Sequence, residues 1–496
     1  MKIVHITSEL TPIAKVGGLA DFVQGLSAAL VEKKESAVIF LPFYKQIDKK
    51  KLYNLRQTFS QLAVLENNTS HLNTVWSAEV DGLRVLLLEP HHPKRYFERS
   101  AIYGEKDDVA RFSYFSRAVL EYLLQADYHP DIIHLHDWIT GLCAPLYREI
   151  YRSLGLHVGG LVTTLHNLCY QGVCIPESLT QIGLPADYLM THDKLQHPTR
   201  PNRANILKGA VVYSDRLTTV SPSYCEEIKQ TRGSGLSPLL IKHEDKLTGI
   251  LNGLDTDYWD PTRDPHLQER YPQQPPSISA ILAAKKANRI ALAKKTGLKV
   301  SENPLVACVT RLAKQKGPEL IRAGLEAAIQ ANSQAILLGS IAEKELELPF
   351  HALQERYQSS GAAYFFFGFD EALAHLIFAA ADILLVPSLF EPCGLTQMIA
   401  LRYGTIPIVH RVGGLKDTIF DIDHSSVAEE KKNGYTFSSF SEEILTETLH
   451  RALDTFHHKQ AKWQQLIANG MSQDWSWNQS AAAYVELYHL ALRAAP

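Results

Sequence analysis

The sequence predicts an α/β protein built from two doubly wound domains, and three observations carry that prediction. A chain of 496 residues exceeds the roughly 50–250 residues in which most single domains fall. Short apolar runs alternate with helical periodicity along both halves, the pattern of right-handed βαβ units. The string KVGGLAD at 15–21 returns as RVGGLKD at 411–417, so each half places a basic residue, a valine and two glycines ahead of Leu-x-Asp.

Residues 2–7 read as a buried parallel strand, and Leu19, Phe22, Val23, Leu26 and Leu30 then recur at helical spacing. RVLLLE (84–89), DIIHLH (131–136), GLVTTLH (160–166) and DRLTTVS (215–221) are further strands, with helical stretches such as 112–125 between them. Proline-rich YPQQPPSIS (271–279) interrupts this texture and marks the junction. The alternation restarts in PLVACVTR (304–311), QAILLGS (334–340), AAYFFFG (362–368), DILLVPS (382–388) and TIPIVH (405–410), and residues 474–492 read as a closing helix. The expected domains are therefore 1–262 and 263–473, followed by a helix within 474–496 that packs back on the first domain.

Lys plus Arg (50) nearly balances Asp plus Glu (53) for a net charge of -3, which excludes a global electrostatic attraction to nucleic acid or anionic membrane. Any anionic ligand must be met locally. The six cysteines are irregularly spaced without a CxxC pair, so the expectation is reduced thiols in the cytoplasm, neither a disulfide framework nor a thiolate metal site. No window reaches ~18 uninterrupted apolar residues, and the first residues, MKIVHITSELTPIAK, lack the apolar run of a secretory signal.

The loop holding Lys15, Gly17 and Gly18 has two readings. Paired glycines let backbone approach a ligand, the helix behind them offers free N–H groups, and a lysine adds charge, which suits a phosphate or carboxylate. The other reading is a tight turn with a solvated lysine. VTRLAKQKG (309–317) ends a second-half strand with Arg311, Lys314 and Lys316, where parallel sheets bind ligands and where guanidinium and ammonium groups could neutralise a leaving phosphate; a solvated basic loop is its alternative.

PSLFEPCGLTQ (387–397) follows another apolar strand. Glu391 stands at the loop, and Cys393, Gly394, Leu395 and Thr396 read as the first turn of a helix, which suits a polyol in front and a phosphate alongside. Glu391 could instead be a helix cap, and Cys393 reads as a packed side chain with no basic partner to activate it. HLHDW (134–138) sets His134 and His136 on one face with Asp137 beside them; zinc would need further ligands at recognisable spacing, so no metal is expected. TLHNLCYQG (164–172) likewise ends a strand with His166 and Asn167.

Taken together, KVGGLAD, HLHDW, TLHN, ILKGAVVYSD (206–215), TTVSPSY (218–224), GILNGLDTDYWDP (249–261), RLAKQKG, FEPCGLTQMIALRYGTIPIV and RVGGLKDT closely resemble the bacterial glycogen synthase and plant starch synthase family, glycosyltransferase family five. The resemblance spans nearly the whole chain. It implies a GT-B fold, two Rossmann-like domains facing across a cleft, and transfer of α-glucose from ADP-glucose to the non-reducing 4-hydroxyl of an α-1,4-glucan such as glycogen, with retention and without a cofactor. Carried over by position, it implies that Arg311 and Lys316 hold the diphosphate, that Glu391 contacts the donor glucose, and that Lys15 faces the phosphates. His166 would stand beside the transferred glucose and Asp137 near the acceptor, with substrate contacts at Gly17, Gly18, Asp21, Asn167, Asn252, Gly368, Phe369, Cys393, Gly394, Leu395 and Thr396.

The sequence departs from the family pattern at Ile139, where a second histidine is usual, and at Phe369, where tyrosine is expected. Residues 197–205 lack the aromatic-glycine pattern expected there. Two other readings remain open on sequence: a different GT-B transferase using UDP-glucose, and a catalytically silent glucan-binding protein.

Overall fold

The computed structural model describes residues 1–272, 278–357 and 359–494, and these form two compact units, 1–253 with 477–496 and 254–476. The first unit is built on a nine-stranded sheet. Its strands are β1 (Lys2–Ile6), β2 (Ser36–Pro42), β3 (Tyr53–Glu66), β4 (Thr69–Val80), β5 (Leu83–Pro90), β6 (Ile132–His136), β7 (Gly160–Leu165), β11 (Arg216–Thr219) and β12 (Leu247–Gly249), in the order β12-β11-β7-β6-β1-β2-β5-β4-β3. All pairings are parallel except β5 with β4 and β4 with β3. A small antiparallel sheet of β8 (Val173–Cys174), β9 (Gln196–His197) and β10 (Arg200–Asn205) sits in the excursion after β7.

The central strands are buried along their whole length because both sheet faces are covered: β7 is buried at every residue, as is β6, although His134, His136, Thr163 and Thr164 interrupt their apolar character. One cover is the helix Gly18–Glu32, which buries Phe22, Val23, Leu26 and Leu30. The helix Trp477–Ala494 packs against it and against β7. Gly25 is where the two helices meet, since a Cβ there would collide with the Trp477 indole.

The second unit has six parallel strands, β13 (Leu305–Val309), β14 (Gln334–Leu338), β15 (Ala363–Phe366), β16 (Ile383–Val386), β17 (Ile406–His410) and β18 (Tyr435–Phe437), in the order β15-β14-β13-β16-β17-β18. The order reverses at β13/β16, the switch point at which doubly wound sheets open a crevice beyond their strand ends.

The unit boundaries differ from the sequence expectation. The first unit ends at Gly253 rather than 262, because the following segment docks on the second. Asp264 accepts hydrogen bonds from Tyr403 Oη (2.6 Å) and pairs with His375 (2.7 Å), while Arg402 donates to the carbonyls of Thr256 and Trp259. In the proline-rich stretch expected to hold the junction, residues 273–277 lie outside the described residues.

Candidate active-site groups in each unit

In the first unit the strand ends of β1, β6 and β7 bring three predicted segments to one edge of the sheet. After β1 the chain runs through Glu9 to the glycine pair, and Gly17, in extended backbone, precedes the helix Gly18–Glu32. A Cβ at Gly17 or Gly18 would meet nothing within 4 Å, so these glycines leave room for an approaching group.

The loop is tied to itself in a way the sequence did not foretell. Glu9 Oε2 accepts the N–H groups of Val16 (2.6 Å) and Gly17 (2.8 Å), and its other oxygen accepts the Tyr103 hydroxyl (2.8 Å). The Gly17 amide, in the loop expected to face a ligand, is thus taken by an internal carboxylate together with that of Val16. Burial pushes the Glu9 carboxyl above its usual range although these bonds favour the anion. Lys15 pairs with Asp21 Oδ1 (2.7 Å), which also accepts from Thr11 (2.8 Å). With Lys15 and Asp21 both partly exposed, that pair is a weak tie in water.

Asp137 follows β6 in the left-handed region, at φ 54, a conformation costing a non-glycine residue about 1–3 kcal/mol. Its Oδ1 accepts the backbone N–H groups of His166 (2.7 Å) and Asn167 (3.4 Å), so it holds the turn that carries both residues out of β7. Burial pushes its carboxyl up to about 7. Ile139, in the next turn, is buried.

Behind this edge lie four histidines. His134 sits between the hydroxyls of Tyr488 (2.8 Å) and Thr164 (2.6 Å). His5 Nδ1 meets His136 Nε2 at 3.3 Å, and His136 Nδ1 meets His166 Nε2 at 3.2 Å. Burial drives all four towards the neutral form, His5 and His166 to about 3 and the other two well below the usual imidazole range. His5, His134 and His136 bring ring nitrogens within 4.8 Å of one another, but the group includes no carboxylate to balance a buried dication, and Asp137 faces backbone amides instead.

A second cluster, Glu66, His71 and His92, is closed on itself. His92 Nδ1 accepts the Lys94 N–H (3.1 Å), so its Nε2 carries the proton and donates to Glu66 (3.0 Å). Asn252, just past β12, is buried, and its side-chain oxygen has no partner among the described residues, a state that a native structure rarely leaves unexplained.

In the second unit the loops after β13, β15, β16 and β17 carry the predicted residues. Arg311 is exposed after β13, and Lys314–Lys316 form a single tight turn. Lys314 leaves the group, pairing with Glu345 (2.5 Å). Lys316 Nζ bonds Glu391 Oε2 (2.5 Å), which also accepts the Ser388 hydroxyl (2.9 Å). Gly317, at φ 67, makes this possible, because a Cβ there would strike the carbonyl of Pro387. Glu391 is only 5% exposed, so its hydrogen bonds come from these protein groups in place of water.

The FEPCGLTQ loop corrects the expected helix start. The helix spans Thr396–Arg402, not from Cys393, because Gly394 turns left-handed at φ 76. Cys393 is buried, while Gly394, Leu395 and Thr396 are half-buried. Gln397 Nε2 bonds the carbonyls of Cys393 (3.3 Å) and Gly394 (2.9 Å) from behind, and its Oε1 is left without a partner among the described residues. The second glycine pair buttresses this loop: Gly414 N–H donates to the Glu391 carbonyl (3.0 Å), and a Cβ on Gly413 or Gly414 would collide with the carbonyls of Glu391 or Cys393. After β15, Gly368 is followed by Phe369, an aromatic ring left 84% exposed.

Sequence reasoning missed four groups here: Glu9, His5, Ser388 and Gln397. The available signal was polarity inside apolar segments, since His5, Ser8 and Glu9 interrupt a buried strand and its exit.

Comparison with known proteins agrees with the resemblance. The starch synthase catalytic domain family matches residues 2–242, and the glycosyl transferases group 1 family matches residues 290–470. The glycogen synthase of Protochlamydia amoebophila is 42% identical across 98% of this chain and 99% of its own length. Probable starch synthase 4 of Arabidopsis thaliana is 41% identical across 98% of this chain and 46% of its own. Among solved structures, the catalytic domain of starch synthase IV from Arabidopsis thaliana, bound to ADP and acarbose, superposes with a TM-score of 0.94 at 40% identity over 99% of both chains. A sucrose-phosphate synthase from Thermosynechococcus elongatus, at 17% identity and a TM-score of 0.61, shares the fold. The chain therefore belongs to the glycogen and starch synthase family of glycosyltransferases and has their GT-B fold.

Proposed function

We propose that this protein is a glycogen synthase that transfers glucose from ADP-glucose to the non-reducing 4-hydroxyl of an α-1,4-glucan, with retention of anomeric configuration. The observation that carries the reading is its likeness, over 99% of both chains, to a starch synthase catalytic domain bound to ADP and acarbose. The reading places the enzyme in the cytoplasm and asks for no metal or cofactor; among the described residues no helix is long and apolar enough to cross a membrane.

Lys316 and Arg311 stabilise the diphosphate as its charge grows, a transition-state role in which losing one group costs on the order of 10²–10³ in rate. Glu391 holds the Lys316 ammonium (2.5 Å) and offers its remaining oxygen to a sugar hydroxyl. Phe369 gives the nucleoside a ring to stack on, without the hydroxyl a tyrosine would add. In the first unit the unpartnered Asn252 oxygen is open to a ligand donor, and Gly17 and Gly18 leave room for an anionic group, with the Lys15–Asp21 pair opening to release the ammonium.

The reading needs no covalent intermediate: Asp137 Oδ1 holds two backbone N–H groups and Asp21 Oδ1 meets Lys15 and Thr11. The reaction then runs on one face. The bond from C1 to the phosphate oxygen breaks, the bond from C1 to the acceptor oxygen forms, and the acceptor proton passes to the leaving phosphate.

The test is nucleoside diphosphate release by the purified protein with ADP-glucose or UDP-glucose, with and without glycogen. Release that requires ADP-glucose and glycogen together is the expected result. Preference for UDP-glucose would overturn the donor assignment, and glycogen binding without release from either donor would make the chain a silent binding protein.

A further inference from the structure

We propose that His5 and His136 are positioning residues that set the tautomer of His166, so that the outward Nδ1 of His166 carries the proton and donates to a substrate oxygen. The substrate half of this statement rests on the reading of His166 given above. The three rings form one file across the sheet edge, His5 Nδ1 to His136 Nε2 at 3.3 Å and His136 Nδ1 to His166 Nε2 at 3.2 Å. Burial favours the neutral form of each ring, and a neutral imidazole holds one proton.

With one proton per ring and one per contact, only two arrangements are consistent. In the first, His5 Nδ1–H donates to His136, His136 Nδ1–H donates to His166 Nε2, and the His166 proton must sit on Nδ1. In the second every donor reverses, and the proton of His5 must sit on its Nε2. That nitrogen is buried with no partner among the described residues. The second arrangement therefore strands a buried N–H, the kind of orphan that folded proteins rarely tolerate, while the first strands only a lone pair.

The surroundings supply no rival partner for this file. Phe22 lies edge-on to both His136 (5.5 Å) and His166 (4.7 Å). The hydroxyls of Tyr488 and Thr164 are spent on His134, and that of Tyr484 meets Thr218. Asp137 Oδ1 accepts the backbone N–H groups of His166 and Asn167, and no bond joins this carboxyl to a ring of the file. His166 is the half-buried end of the file, and no described residue bonds its Nδ1.

The test is a long-range ¹⁵N–¹H spectrum of the full-length protein labelled at histidine, with the His166 ring assigned by its loss in His166→Gln. The expected wild-type pattern is a pyrrole-type Nδ1 and a pyridine-type Nε2. In His5→Phe the file loses its first donor, so the His166 pattern should move towards the other tautomer. kcat should then fall on the order of tenfold, the equivalent of one positioned hydrogen bond, with little change in KM. His5→Asn, whose carboxamide nitrogen takes the place of Nδ1, should restore both.

A pyridine-type Nδ1 in the wild type, or a His166 pattern unchanged in His5→Phe, would overturn the proposal. Should His5→Phe fail to fold, the wild-type spectrum alone decides. The spectrum is read without turnover, so a protein showing the expected pattern but no glucose transfer would sink the functional reading and leave the tautomer assignment standing.

Discussion

The two copies of the basic-Val-Gly-Gly-Leu-x-Asp string do different work. At Gly17 and Gly18 a Cβ would meet nothing within 4 Å, and the string opens a helix of 15 residues. At Gly413 and Gly414 a Cβ would run into the carbonyls of Glu391 and Cys393, and the helix that follows has 6 residues. The first pair borders open space; the second is small because the FEPCG loop is already there. Equal spelling thus hides two settings, open space in one unit and backbone packing in the other, and only the neighbours distinguish them.

That contrast can be broken by substitution. The largest effect is expected from Gly413→Ala, which must displace the backbone that carries Glu391. Its cost should be about 2 kcal/mol or more, a fall of roughly 5 °C in Tm, with most activity lost; unchanged melting would remove the packing role. Lys316→Ala should lower kcat on the order of 10²–10³ while folding normally, measured by nucleoside diphosphate release, and near-wild-type turnover would defeat its assignment. Gly17→Ala should leave Tm within about 1 °C, having open space and an extended backbone. It should still reduce kcat/KM for the donor by about tenfold, because the methyl enters the space the ligand needs.

A pH dependence gives a further test in the first unit. The Asp137 carboxyl rises on folding from 3.8 to about 7, so the folded protein holds this proton where the unfolded chain has lost it. Stability contributed by that proton is present in acid and is lost as pH climbs through the window from 3.8 to about 7. Asp137→Asn keeps an acceptor for the amides of His166 and Asn167 but not the titration. Its Tm relative to wild type should therefore rise across this window, and a constant difference would contradict the shift.

Much of the fold was legible because parallel strands covered on both faces spell themselves as apolar runs, as in β13 and β16. The β3–β4 hairpin was not, since much of it faces water and its strands lack a continuous apolar stripe. Its signal was the Asn67–Asn68 pair, both at positive φ, the signature of a tight hairpin turn. The unit boundary escaped because it depends on Asp264 and Arg402 reaching partners far along the chain.

The candidate site divides the same way. Glu391, Lys316 and His166 stand at the ends of readable strands, whereas Glu9 and His5 matter through what they touch. Lys314 shows the converse, a basic residue in the right loop that turns to Glu345.

The proposed activity is a retaining transfer of glucose from ADP-glucose to an α-1,4-glucan. Incubating the protein with ADP-glucose and a short maltooligosaccharide, and following the products by ¹H NMR as they form, tests it most directly. The account predicts a chain lengthened one glucose at a time, with each new linkage α-1,4 and ADP released in equal amount. A β-linked product, or free glucose in place of chain extension, would contradict it.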